Sequence, residues 1–257
     1  MREPALVRAM RVTALEATVL AGHLLLYPTG LRRDAPVQVP PEGFRGPRPV
    51  LLLHGFVDNR SVFALLRLSL LRNGWQAVAG VNYSPFTTDL RAAAEALLAE
   101  VDAVRERTGH ERVDVVSHSL GGLVARYAAQ RLDGHRSIHT LVTLGTPHRG
   151  TDAGALLSVH PLVRQIRPGS AVLTELTQPA PGCDTRFVSF WSDHDMVMSP
   201  SGTARLDHPD LSVREVPVHG VGHLAMPSHW AVIARVRQEL VDAGLDPAVR
   251  DARGDVA

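Results

Sequence analysis

Val113-Asp114-Val115-Val116-Ser117-His118-Ser119-Leu120-Gly121-Gly122 is an apolar run that ends in a turn of small residues with one serine at its apex. A strand that turns so sharply into a helix forces the apex residue into a strained backbone conformation. The Ser119 hydroxyl is thereby lifted clear of the sheet, and the amides that follow are aimed at the same point. A hydroxyl is a weak nucleophile until a base removes its proton, so this turn predicts a histidine and an acid later in the chain.

Around this turn, apolar runs alternate with amphipathic ones. Strands are predicted over residues 50–53, 76–81, 113–116 and 138–144, with helices over 61–72, 89–108 and 120–132 between and after them. Two further strands, 186–192 and 211–218, and a closing helix, 228–243, complete the pattern. Strand–helix alternation with nearly continuous apolar strands implies an α/β fold with a mostly parallel sheet covered by helices on both faces. The segment 145–185 interrupts the alternation. It carries two short apolar pieces, around Ala155, Leu156, Leu157 and Val159 and around Val172, Leu173 and Leu176, which read equally as a small flap or as an excursion loop.

The chain has 257 residues and is 45% hydrophobic, enough for one core, and one domain is the default. Its net charge is +1, and all 27 basic residues are arginines scattered along the chain, which argues against a nucleic-acid surface. Cys183 is the single cysteine, so no intramolecular disulfide can form. Residues 1–31 read as an N-terminal helix, 32–49 as a proline-rich extended linker, 50–245 as the catalytic body and 246–257 as a flexible tail. Within the N-terminal segment, Val12 to Tyr27 is mostly apolar and follows Arg2, Arg8 and Arg11, but Glu16 and His23 interrupt it and no small-x-small cleavage pattern precedes Pro28. It is expected to pack on the body or to lie at a membrane surface. The expected location is cytoplasmic or peripheral to a membrane, with secretion as the alternative.

The acid is expected at the C-terminal end of the 186–192 strand, in Asp193-His194-Asp195-Met196-Val197. Asp195 is preferred to Asp193 because the apolar pair after it could anchor the loop and hold the carboxylate inward. The base follows the last strand, in His219-Gly220-Val221-Gly222-His223, where the glycines let the loop carry His223 over the sheet edge and leave His219 packed or hydrogen-bonded. His208 and His229 are expected at the surface. The backbone amides of Leu120 and of Phe56, in His54-Gly55-Phe56, are the expected oxyanion donors, with His54 structural and Gly55 allowing close approach. Phe56, His118, Pro147 and Met196 are expected to line the substrate site, and Phe86 to add to an apolar acyl region.

These residues resemble those of bacterial lipases and esterases of the α/β-hydrolase superfamily. The matches are His54-Gly55-Phe56, Ser117-His118-Ser119-Leu120-Gly121-Gly122, Asp195-Met196-Val197 and His219-Gly220-Val221-Gly222-His223; the last two are similar to the small lidless bacillar lipases. Gly145-Thr146-Pro147-His148-Arg149-Gly150-Thr151 resembles a segment of larger bacterial lipases that lies beside the catalytic loops, with His148 as a shaping residue. Ser117 stands where the usual elbow has glycine, and the bacillar lipases carry alanine there, so a small residue is what the turn requires.

The resemblance implies an α/β-hydrolase fold with a small insertion after Leu144 and an extra N-terminal helix. It also implies the chain order Ser119, Asp195, His223 for a catalytic triad. The expected activity is hydrolysis of carboxylic esters with apolar acyl chains, polyesters included, through an acyl-enzyme and without cofactor or metal. A thioesterase or acyltransferase on the same triad is the first alternative, and a non-catalytic binding protein the second. The expected partner is an ester or lipid substrate, with contact to a lipid interface through the N-terminal helix. Nothing in the sequence sets an oligomeric state.

Overall fold

A computed structural model describes residues 5–31, 46–83, 87–152, 160–198 and 200–245. Its centre is a six-stranded, wholly parallel sheet in the order β2-β1-β3-β4-β5-β6, formed by β1 (Val50–Leu53), β2 (Val78–Val81), β3 (Val113–His118), β4 (Ile138–Leu144), β5 (Arg186–Ser192) and β6 (Ser212–Val218). The chain runs from β1 outward to β2, then returns across β1 to β3 and continues the other way. The switch point therefore falls between the C-terminal ends of β1 and β3, where open α/β sheets hold their ligands.

Period-two alternation divides the core. Leu51, Leu53, Val113 and Val115 face one side, under α3 (Leu90–Thr108) and α4 (Leu120–Arg131), while Val50, Leu52, Val116 and Val142 face the other, under α2 (Ala64–Arg72) and α7 (Trp230–Gly244). The central strands are buried along their length, which explains why β1 is apolar throughout, while β3 buries Asp114, Ser117 and His118 among its valines. β6 alternates exposed and covered residues and contains Pro217, a residue that a strand admits at a sheet edge. Asp114 on β3 accepts from Arg48 Nε at 3.2 Å, and Arg48 also donates to the Ala243 carbonyl at 3.0 Å, tying the approach to β1 to the end of α7.

Several boundaries differ from the sequence reading. The segment expected as one helix over 61–72 opens with a 3-10 turn, Arg60–Phe63, because the Asn59 side chain caps Ser61 N at 3.0 Å and tightens the first turn. The strand expected from Gln76 begins at Val78, and the closing helix begins at Trp230. In the 145–185 segment, α5 (Pro161–Gln165) and α6 (Ala171–Leu176) are short helices, the latter carrying Val172, Leu173 and Leu176. The apolar piece at 155–159, Phe86, most of the 32–49 linker and the 246–257 tail lie outside the described residues.

The N-terminal helix α1 (Ala5–Gly30) is long, and it is fastened to the body. Its last carbonyls lack intrahelical donors and are met by side chains from the loops after β1 and β2: Asn59 Nδ2 donates to the Tyr27 carbonyl at 3.0 Å, Asn82 Nδ2 to that of Gly30 at 2.8 Å, and Arg60 Nη2 to that of Thr29 at 3.2 Å. Among the described residues, no helix is long and apolar enough to cross a membrane.

Candidate active site

Ser119 occupies the turn between β3 and α4 with φ 53° and ψ −125°, a strained conformation for a residue bearing a Cβ. Its own amide donates to the Leu144 carbonyl at 2.9 Å, which fixes the turn against β4. The structure brings three distant side chains into one line. His223 Nε2 lies 3.0 Å from Ser119 Oγ, and His223 Nδ1 lies 2.8 Å from Asp195 Oδ2. The other Asp195 oxygen, Oδ1, accepts from the amides of Val197 at 3.0 Å and Met198 at 3.1 Å, so the carboxylate is fully buried and held in one orientation.

The competing aspartate and histidine find each other instead. Asp193 Oδ2 lies 3.1 Å from His219 Nδ1, and this second pair is open to solvent, with His219 71% exposed. Burial works to lower the pKa of His223, but the charge of Asp195 and its hydrogen bond, reinforced by Glu16 and Asp58, outweigh it and leave the imidazole above its ordinary value.

The loop after β1 approaches the serine closely: a Cβ on Gly55 would come 3.0 Å from that of Ser119. Leu120 is the first residue of α4, so its amide has no intrahelical acceptor, and Phe56 and Leu120 both face the cavity that holds Ser119 and His223. That cavity has a volume of about 550 Å³, and its walls are mostly apolar. Val57, beside Phe56, is held at φ 63°, a costly conformation for a β-branched residue at the mouth of the cleft. A larger groove, about 760 Å³, runs along the other side of α1 past His219 and His229 and reaches none of the three aligned side chains.

Of the four residues expected to line the substrate site, Phe56 and Pro147 line this cavity. His118 does not. It is buried beneath His223, where its Nε2–H donates to the His223 carbonyl at 3.1 Å and its ring packs 4.7 Å from the His223 ring, because residues at the end of β3 alternate and Ser119 takes the outward place. Met196 also fails the expectation: it is 86% exposed, and the loop is anchored by buried Met198 instead, with Val197 and Met198 in the cavity wall. His208, expected at the surface, is buried, and its Nε2 lies 3.1 Å from the Gln178 carbonyl; His229 is half-buried ahead of α7. His54 stacks on Tyr83 at 4.6 Å, and burial pushes its pKa down to about 4. His148 is buried with Nε2 3.0 Å from Thr143 Oγ1, a packing role.

Three contributors escape a reading from sequence. Asp58, two residues after Phe56, lines the cavity, and burial raises its carboxyl to about 6 against an opposing pull from His223. Leu20, His23, Leu24 and Tyr27 of α1 form one wall of the cavity. Glu16, on the same helix, reaches the histidine loop. The signals were faint: a lone acid inside an apolar run, and leucines at helical spacing that could have faced any partner.

The six-stranded parallel sheet and the helices on both its faces define an α/β-hydrolase fold. A solved bacterial lipase, Bacillus licheniformis BlEst2 in its mature form, superposes on 82% of this chain and 96% of its own with a TM-score of 0.63 at 16% identity. Aspergillus fumigatus lipase B shares the fold over 75% of this chain and 51% of its own, with a TM-score of 0.58 at 17% identity. In sequence, the chain is 31% identical over 160 residues to a triacylglycerol lipase of Burkholderia plantarii, covering 57% of this chain and 44% of that protein. It is also 32% identical over 111 residues to a triacylglycerol lipase of Pseudarthrobacter phenanthrenivorans, covering 40% and 34%. The matched stretches thus span less than half the length of these relatives. Residues 28–167 match the family model described as "Domain of unknown function (DUF7379)", and the chain belongs to that family. The matched region includes Ser119 and the Phe56 loop but ends before Asp195 and His223.

Proposed function

We propose that this protein is a serine hydrolase of carboxylic esters with apolar acyl chains, working through Ser119, His223 and Asp195. The observation that carries this reading is the hydrogen-bonded line from Ser119 Oγ through His223 to buried Asp195, opening into an apolar cavity. Similarity to triacylglycerol lipases supports the ester as the bond cleaved. In the reaction, Ser119 Oγ bonds to the ester carbonyl carbon while its proton passes to His223 Nε2. Asp195 stabilises the imidazolium, and the Phe56 and Leu120 amides receive the developing oxyanion. The carbon–oxygen bond to the alcohol then breaks and the alcohol leaves with the proton from His223. Water, deprotonated by the same histidine, releases the acid from Ser119.

The surface around the cleft supports contact with an ester-bearing lipid interface: Leu24, Leu25 and Leu31 of the N-terminal segment and Val57 are all more than half exposed. Vesicle flotation of the wild type against Leu24→Gln/Leu25→Gln tests that contact, and equal flotation would dismiss it.

The test of the chemistry is a chain-length series of p-nitrophenyl esters beside emulsified triglyceride, with fluorophosphonate labelling. Ser119→Ala should keep its fold, lose labelling and lose at least about a thousandfold in kcat. Ester turnover near the wild-type rate in that variant, or a wild type inert towards every ester and the probe, would overturn the reading.

A further inference from the structure

We propose that α1 is a working part of the active site and that Glu16 on it is a positioning residue for His223. This rests on the assignment of His223 as the catalytic base. Glu16 lies 207 positions before His223 in the chain, yet its carboxylate grips the two amides that follow the histidine: Oε2 accepts from Leu224 N at 3.0 Å and Oε1 from Ala225 N at 2.9 Å. Both oxygens are used, so the pair fixes the direction of the loop as well as its distance.

The loop is shaped to receive this carboxyl group. A Cβ at Gly222 would overlap the Glu16 side chain, so any side chain at that position would push the carboxyl group out of its present place. The loop is then held from two sides. His118 binds the His223 carbonyl from below, and Glu16 binds the following amides from α1. A shift of the imbalance between these grips would move Nε2 relative to Ser119 Oγ, and misplacement by about 1 Å can cost about a hundredfold in rate.

The rest of the helix points the same way. Leu20, His23, Leu24 and Tyr27 follow Glu16 at helical spacing, share its face and wall the cavity above Ser119. One helix face therefore holds the histidine loop and forms one wall of the cleft. All five of these residues lie ahead of the family model, which begins at residue 28.

The charged and titratable groups around His223 are Asp195 from the loop after β5, Asp58 from the loop after β1, His118 at the end of β3, and Glu16 and His23 from α1. Glu16 is one of the three carboxylates that favour the protonated imidazole.

The test compares the wild type with E16Q, E16D and E16A, using kcat and KM across pH and, in the S119A background, titration of the His223 imidazole by NMR. E16Q and E16A should lower kcat about tenfold or more with KM little changed, and should move the acid limb of kcat/KM and the imidazole titration to lower pH. E16D retains the charge but is too short to span both amides, so kcat should fall while the titration stays near the wild type. Wild-type kcat and an unmoved titration in E16Q and E16A would overturn the proposal. A wild type that cleaves no ester would refute the function instead, and the NMR titration would still decide whether Glu16 acts on His223.

Discussion

Replacing Asp58 by asparagine should stabilise the protein at neutral pH and leave its stability unchanged in acid. The carboxyl sits beside Ser119 and His223, with Oδ2 3.8 Å from His118 Nδ1, too far for a hydrogen bond. Burial raises it from its ordinary 3.8 to about 6. A carboxyl whose folded value is raised contributes stability that is fully present below pH 3.8 and is lost as pH climbs through about 6. The interval, about 2 pH units, is worth about 3 kcal/mol at pH 7. That is an upper figure, since 20% of the side chain meets water and screening reduces the cost of its charge. Asparagine has nearly the same shape and no charge to bury. Urea unfolding of wild type and D58N from pH 4 to pH 8 should show D58N the more stable by up to about 3 kcal/mol at pH 7, with the gap closing towards pH 4. His54 acts with the opposite sign: its lowered value makes stability fall as pH drops from 6.5 towards about 4, but it does so in both proteins and cancels in the comparison. A gap that is constant with pH, or a D58N less stable than wild type at pH 7, would refute the reasoning. Because Asp58 also favours the protonated form of His223, the acid limb of ester turnover should move to lower pH in D58N.

Other substitutions test the surroundings of the site. Gly145 holds φ 54°, and a Cβ there would come 2.9 Å from Asp195 Oδ2 and 3.2 Å from His223 Nδ1. Gly145→Ala should therefore reduce kcat/KM by about tenfold or more and lower the melting temperature, and a fully active variant would show that the Asp195–His223 contact tolerates crowding. Glu239 is fully buried on α7, within 2.8 Å of Arg186, 3.0 Å of Arg214 and 3.1 Å of Arg235. Glu239→Ala should cost about 3 kcal/mol in urea unfolding, and a loss under about 1 kcal/mol would mean that the arginines find water without penalty.

The strands, the helices over them and the serine turn were legible in sequence because each is decided locally. An apolar run bounded by turn residues reports a buried strand, and the crowding of small residues around Ser119 reports a strained apex whatever surrounds it. Asp195 and His223 were legible because each follows a strand at the end where parallel sheets carry their loops, and the structure brings both to Ser119. His118 and Met196 were misplaced because adjacency in sequence to a site residue says nothing of direction; one side chain turns under the sheet end and the other out to water.

What the sequence by itself determined is the order of elements and the three side chains that could meet, since periodicity and turn chemistry act over a few residues. Tertiary structure alone decided what α1 packs against, that Glu16 reaches the amides of Leu224 and Ala225, and that Asp58 is buried deeply enough to shift its ionisation. The physical reason is that an amphipathic pattern records that one face is covered without naming its cover, and desolvation depends on every atom packed around a group, including those two hundred residues away.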